Sequence, residues 1–413
     1  MESTLVVLLG ILAGTVAGML PGIGVTVTLL MSMPLLQDLN TINLLLFYLS
    51  VACTVQFTGT IPSVYLGFPG ETNSMPAVVE GTKFRRRQAS SLAIGLCGIG
   101  SVFGSVVAVA ITFLLLSYLV PLISGLFSDV FRLSIYLLVI VIALFLYNRN
   151  LILNLLLLLF GFWLSMIGEP PLETGLRFTF GISHLEYGIP YFPVLIAFLA
   201  VPSLFSPTVK NFKIIPKEKL YKLSTVFLLF FRNISSALRG SVIGYFCGMV
   251  PGTTTTLSTN MSYAVEKKTS RLYPTKLITS AETANNAGMF SSILPLILLG
   301  IPISTSEVVL FSLLVDSGWS PYQFDNLEAN TKMIFEDLTP WFMFINAIAL
   351  MIAWPYAKSV IRLFNKINID IKYITLSVCV LINFYLGYTQ SQTLYYGIVL
   401  LVLGTIGYLL RGK

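Results

Sequence analysis

Apolar residues occupy this chain in long uninterrupted runs, and polar residues gather in short clusters between them. Ser101–Ile123 and Leu133–Tyr147 carry no charged side chain at all. An amphipathic element of a soluble protein would show charges on its outer face, so runs of this length without any predict membrane-spanning helices. The longer polar stretches, Pro207–Ser224 and Asp316–Leu338, are too short to fold as domains. The pattern predicts an all-α polytopic membrane protein with about 10–12 transmembrane or re-entrant helices, at roughly 20 apolar residues per span.

The runs are broken at recurring places. Gly18-Met19-Leu20-Pro21-Gly22-Ile23-Gly24-Val25-Thr26 returns as Gly248-Met249-Val250-Pro251-Gly252-Thr253-Thr254-Thr255-Thr256. Pro62-Ser63-Val64-Tyr65-Leu66-Gly67-Phe68-Pro69 returns as Pro295-Leu296-Ile297-Leu298-Leu299-Gly300-Ile301-Pro302. Both recur in one order at an offset of roughly 230 residues, as an internal repeat must.

Loop charges orient the two copies, because Lys and Arg collect on the cytoplasmic side. Between the motifs of the first copy the loop Gln37–Asn43 carries only Asp38, and the loop after them carries Lys83, Arg85, Arg86 and Arg87. In the second copy the order is reversed. Lys267, Lys268, Arg271 and Lys276 lie between the motifs, and Asp316, Asp325, Glu328, Glu336 and Asp337 follow them, against a single Lys332. Two inverted-topology repeats with broken helices are therefore expected, with the N-terminus exterior and Leu5 onward retained as the first span. Arg149, Lys210–Lys222, Lys358–Lys372 and the tail Arg411-Gly412-Lys413 fall on the cytoplasmic side of the same scheme. The chain then divides into a first repeat core at 1–125, intervening scaffold spans and a basic loop at 126–222, a second repeat core at 223–338, and C-terminal scaffold spans at 339–413.

Composition narrows the class. Of 413 residues 55% are apolar and 10% charged, with a mean hydropathy of +0.85, which excludes a soluble domain. The net charge of +7 sits in loops beside spans, where orientation signals belong, so nucleic acid is not an expected partner and membrane lipid is. Cys53, Cys97, Cys247 and Cys379 are scattered without CxxC spacing and read as small apolar residues, not as a zinc site or a disulfide framework. With His184 the sole histidine, a histidine-based metal site is excluded.

Candidate chemistry lies at the breaks. Backbone freed within hydrocarbon survives only where it faces protein or a wet cavity. Exposed helix N-termini offer N–H groups and a positive dipole end to an anion, and unwound carbonyls can hold a coupling cation. Gly22, Gly24 and Thr26 at the first break, Gly70, Thr72 and Asn73 at the second, Gly252, Thr253 and Thr254 at the third, and Ser304 after Ile301-Pro302 are the expected anion-binding positions. Hydroxyls at Thr28 and along Thr253–Thr256, with Ser258 and Thr259, stand beside them; bonding back to the preceding helical turn is the competing reading of such threonines. Ser280-Ala281-Glu282-Thr283-Ala284-Asn285-Asn286-Ala287-Gly288 sets a carboxylate and two adjacent amides at the entrance to an apolar span. Asn285 and Asn286 complete the anion site and offer a place for sodium. All six aspartates fall in expected loops. Glu71 and Glu282 are therefore the coupling carboxylates for a proton or a sodium ion, and Glu80 and Arg177 are read as interfacial. No resident cofactor or bound metal is expected.

Those segments resemble the blocks of a known family, the large membrane subunit of tripartite tricarboxylate transporters (TctA). Ala281–Ala287 is similar to its Pro-Glu-Ala-Ala-Asn-Asn-Ala signature. Gly18–Gly24, Gly59–Gly70 with Glu80-Gly81, Gly175–Gly181, Gly248–Gly252 and Leu299–Pro302 look like its other blocks in the same order, across roughly three quarters of the chain. Ala281-Glu282-Thr283 replaces the opening of the signature, Ile303 stands where glycine usually follows Ile-Pro, and the chain resembles a short variant. The resemblance implies a carrier of citrate-like carboxylates in the cytoplasmic (inner) membrane of a prokaryote, driven by an ion gradient. It also implies a small four-helix membrane subunit and an extracytoplasmic solute-binding protein as partners, although a compact variant working alone, or as a homo-oligomer, is compatible with the sequence. An anion channel is the alternative. An intramembrane enzyme is disfavoured because no HExxH, paired span aspartates or serine-activating histidine is found.

Overall fold

The computed structural model describes residues 2–19, 24–65, 72–123, 151–169, 175–190, 221–250, 254–269, 273–319, 327–354, 371–389 and 391–410, with short pieces at 133–134, 137, 140, 193–194 and 196–200. In chain order the helices are α1 (Ser3–Met19), α2 (Val25–Leu36), α3 (Thr41–Tyr65), α4 (Met75–Arg86), α5 (Ser90–Ile123), α6 (Leu151–Ser165) and α7 (Ser183–Glu186). They continue as α8 (Leu223–Arg232), α9 (Ile234–Gly248), α10 (Thr254–Thr269), α11 (Pro274–Leu299), α12 (Thr305–Asp316), α13 (Leu327–Lys332), α14 (Thr339–Ala353), α15 (Ile371–Thr389) and α16 (Thr393–Leu410). A 3-10 turn at Thr72–Ser74 leads into α4, and a π-helical turn at Met333–Leu338 joins α13 to α14. An all-α chain is what a bilayer imposes on apolar sequence, because a helix satisfies its own backbone.

Three described helices are long and apolar enough to cross a membrane: α3, the Ser90–Leu116 part of α5, and Asn330–Ala353. A fourth is added if α8 and α9, bent by 71° on either side of Asn233, count as one span. That bend has no Pro-Gly motif and was not expected.

The chain forms two units. The first comprises Met1–Ser134 and Thr208–Ile369. At its centre lie α3 and α11, each about 38 Å long at 1.5 Å per residue and buried along most of its length. Each is flanked by a glycine-bearing partner. On α1, Gly10, Gly14 and Gly18 let the backbone approach α3 at Ser50, Thr54 and Thr58; on α9, Gly240, Gly244 and Gly248 do the same to α11 at Ser280, Ala284 and Gly288. A side chain at Gly14 would press within 2.8 Å of the Val51 carbonyl, and one at Gly244 would collide with Ala284. Hydroxyls bridge both seams: Thr58 Oγ1 donates to the Gly14 carbonyl at 3.3 Å and Ser291 Oγ to that of Tyr245 at 2.7 Å. Helices without a hydrophobic drive to associate rely on this close packing by small residues.

The second unit comprises Ile135–Pro207 and Asp370–Lys413. Within it α15 and α16 form a hairpin in which Asn383 Nδ2 donates to the Tyr396 carbonyl at 3.1 Å. Tyr395 holds the Gly188 carbonyl at 3.0 Å and stacks on His184, which is exposed as expected.

Several expectations are corrected here. Asp316 ends α12 and Asp337 lies in the π-helical turn, so neither sits in a loop. Helix α11 begins at Pro274, which places Glu282 and both asparagines inside a buried helix and not at its entrance. Glu80 is fully buried, because Lys83 and Tyr263 satisfy it. Cys53 and Cys97 are free and buried, as their apolar reading requires.

Candidate functional site

Two half-helices start from breaks and run side by side. Asn73, just before α4, and Thr255, in the first turn of α10, are joined by a bond of 3.3 Å from Asn73 Nδ2 to Thr255 Oγ1. Two turns further on, Tyr263 donates to Glu80 Oε1 at 2.8 Å. Contacts at both levels in the same order make α4 and α10 parallel, with their N-termini together. Their C-terminal turns carry Lys83, Arg85 and Arg86, and Lys267 and Lys268, where cations complement the helix dipole. Ser74 at the N-cap of α4 makes no capping bond to its first turn. Both N-termini, with their positive dipole ends, therefore face one place.

That place is the middle of α11. Asn73 Nδ2 also donates to Asn285 Oδ1 at 3.1 Å, so three segments meet at one amide pair. One turn earlier on α11 stands Glu282, also buried, and its Oε2 has no partner among the described residues. Asn286 Oδ1 is likewise buried and unpartnered, and its amide makes only a long contact of 3.5 Å to the Glu282 carbonyl. A carboxylate oxygen and an amide oxygen left without donors inside a buried helix cost free energy, and a cation or a proton there offsets that cost. Gly100 of α5 passes beside them, its Cα so close that an added Cβ would stand 3.7 Å from the Cβ of Glu282.

A second pair of helix starts meets elsewhere in the unit. Thr26 Oγ1 in α2 and Thr305 Oγ1 in α12 are 3.0 Å apart, and at the far end of α12 Ser317 lies 3.4 Å from Thr41. Gly24 is the extended N-cap of α2. Thr28 bonds back to the Gly24 carbonyl at 2.9 Å, so the competing reading holds for this threonine. Ser304 caps α12 by accepting from Glu307 N at 3.2 Å, while Glu307 Oε2 accepts from Ile303 N at 2.9 Å. The Ser-x-x-Glu spacing of this capping box is a sequence signal for the start of α12.

Of the expected positions, the structure brings together Asn73, Asn285 and Glu282, with Asn286 next along the helix, and joins Gly24, Thr26 and Ser304 to the α2–α12 pair. Gly22, Gly70, Glu71, Gly252 and Thr253 lie outside the described residues, as do the side chains of Thr72 and Thr254. Thr255, Tyr263 and Thr305 were not singled out, because only the fold shows which threonine of a run meets a partner.

The family described as "Tripartite tricarboxylate transporter TctA family" matches residues 4–412. The chain belongs to this family. As a TctA-family chain with apolar spans it is a multi-pass membrane protein. It is 25% identical over 323 residues to an uncharacterised 52.8 kDa protein from the TAR-I ttuC' 3' region of Agrobacterium vitis, covering 76% of this chain and 63% of that protein. It is 31% identical over 119 residues to the uncharacterised protein MJ1079 of Methanocaldococcus jannaschii, covering 29% of this chain and 30% of that one. The chain thus spans less than two thirds of the length of either relative. No solved structure matches it.

Proposed function

We propose that this chain is the permease of a secondary active transporter that carries small, tricarboxylate-like anions across the cytoplasmic membrane of a prokaryote by alternating access. The observation that carries the reading is the pair of hydrogen bonds that Asn73 Nδ2 donates, to Thr255 and to Asn285, which gathers two helix N-termini on one amide cluster. Substrate carboxylates bind at these N-termini through backbone N–H groups and the hydroxyls and amides of Thr72, Asn73, Thr254, Thr255 and Asn285, with Gly70, Gly252 and Thr253 among the proposed binding residues. Glu282 and Asn286, whose buried oxygens lack partners, support a coupling ion, H+ or Na+, next to the anion. Glu71 joins them in this reading, and Gly22, Gly24, Thr26 and Ser304 form the corresponding entrance on the α2–α12 side.

Inverted repeats are supported by the matched seams: Gly10, Gly14 and Gly18 against α3, and Gly240, Gly244 and Gly248 against α11. The segments 126–222 and 339–413 serve as scaffold in this reading. The family description supports partners in a tripartite system, a small membrane subunit and an extracytoplasmic binding protein.

The test is thermal stability of the purified protein with citrate, tartrate, succinate and glutamate, with and without sodium. A ligand at a hundred times its Kd adds about 2.7 kcal/mol to stability. A shift with one acid that grows with sodium is the expected result. Equal curves with every acid, both alone and with a binding protein added, would refute the reading.

A further inference from the structure

We propose that the Glu80–Tyr263 bond is the clasp of an inner gate, closing the way between α4 and α10 from the amide cluster to the basic face. The inference rests on the transport reading above and adds the device by which one side of the site is held shut.

Both helices start at the Asn73–Thr255–Asn285 cluster and end in basic turns, so the seam between them runs from the cluster to the basic face. Midway stands Glu80, fully buried, with Oε1 accepting from Tyr263 at 2.8 Å and both oxygens accepting from Lys83 Nζ at 2.8 Å. Lys83 is on the same helix as Glu80, one turn along, and is half-exposed.

The distribution of charge across this seam is the telling feature. When α4 parts from α10, Glu80 leaves with Lys83 and stays neutralised, and Tyr263 keeps an uncharged phenol. The other carboxylate of α10, Glu266, is also buried, but it is held from its own side, by Arg239 of α9 at 2.9 Å and Ser236 Oγ at 2.7 Å. Separating two members of a buried ion pair strands a charge at high cost. Here the two buried carboxylates, Glu80 and Glu266, each have a cation that does not lie across the seam, and beyond the Asn73–Thr255 bond at the cluster the phenol bond crosses it. A bond to a charged acceptor biases an equilibrium by on the order of ten-fold or more, enough to hold a gate shut and weak enough to release.

The α2–α12 pair differs. Its cross-contact is a hydroxyl pair, Thr26–Thr305, and it is exposed. The clasp belongs to the basic side.

The test uses a cysteine reporter in the full chain, purified with Cys53, Cys97, Cys247 and Cys379 replaced by alanine. Thr259, buried on α10 midway between Thr255 and Tyr263, becomes Thr259→Cys. A control reporter, Ser105→Cys, sits where Ser105 bonds Asn346, away from the seam. Adding Tyr263→Phe should raise alkylation at position 259 about ten-fold and leave position 105 unchanged. No change at 259, or an equal rise at both reporters, overturns the clasp.

A second arm pairs Glu80→Cys with Tyr263→Cys in proteoliposomes, bridged by a bifunctional thiol reagent with a reducible linker. The bridged form should bind its carboxylate yet not translocate it, and reduction of the linker should restore movement; undiminished translocation when bridged would also overturn the proposal. If no carboxylate moves even without the lock, the transport reading fails, while the alkylation result still reports whether the clasp exists.

Discussion

Asn285 is the residue on which the candidate site depends. Its amide takes a bond from Asn73 and lies beside Glu282, so replacing it leaves buried polar groups without partners. Asn285→Ala should lower unfolding stability by about 1–3 kcal/mol and abolish the sodium-dependent shift with a carboxylate; both are read in one thermal titration. A variant that melts earlier yet keeps the sodium-dependent shift would reduce Asn285 to a packing role. Ser304 tests the opposite case. Its hydroxyl serves as a helix cap, so Ser304→Ala should cost about 0.5–2 kcal/mol and leave carboxylate affinity within a few-fold, measured by the same titration. The residue types at these positions were legible in the sequence, since amides and carboxylates in an apolar run announce themselves by their cost. Their partners were not. Nothing in the run Thr253–Thr256 distinguishes Thr255 until α4 lies beside it.

At the scale of elements, the glycine seams set how closely α1 approaches α3 and α9 approaches α11. A methyl group at Gly244 would meet the Ala284 backbone, and the helix pair would have to spread. Gly244→Leu should therefore cost about 3 kcal/mol or more and remove most folded protein on gel filtration, whereas Gly161→Leu, where an added side chain meets open space, should not. The two glycine triplets recur at the repeat offset of roughly 230 residues. That signal was in the sequence and was read only at Gly18 and Gly248. By contrast, the 71° bend between α8 and α9 at Asn233 has no local Pro-Gly motif to predict it.

For the whole molecule, the first unit holds the described part of the candidate site from residues on both sides of the intervening spans, Asn73 from one and Thr255 and Asn285 from the other. Under the proposed function, movement of a carboxylate is tested on the whole chain in a membrane. In proteoliposomes, uptake of the acid that gives the thermal shift should saturate and should fall at least ten-fold when the sodium or proton gradient is collapsed; flux that follows the anion's own gradient without saturating would favour a channel.

Hydropathy by itself determined the class of this protein, because a bilayer tolerates only backbone that satisfies itself and therefore converts apolar length into helices. Repeated Pro-Gly breaks marked where those helices stop, and their order was enough to suggest the family. Only the tertiary structure decided that Glu282 lies deep in a buried helix, that α4 and α10 run parallel, and that Glu80 is clasped by Tyr263. Those facts depend on contacts between residues some 180 positions apart, as between Asn73 and Thr255, and hydrophobic periodicity carries no information about which distant surfaces will meet.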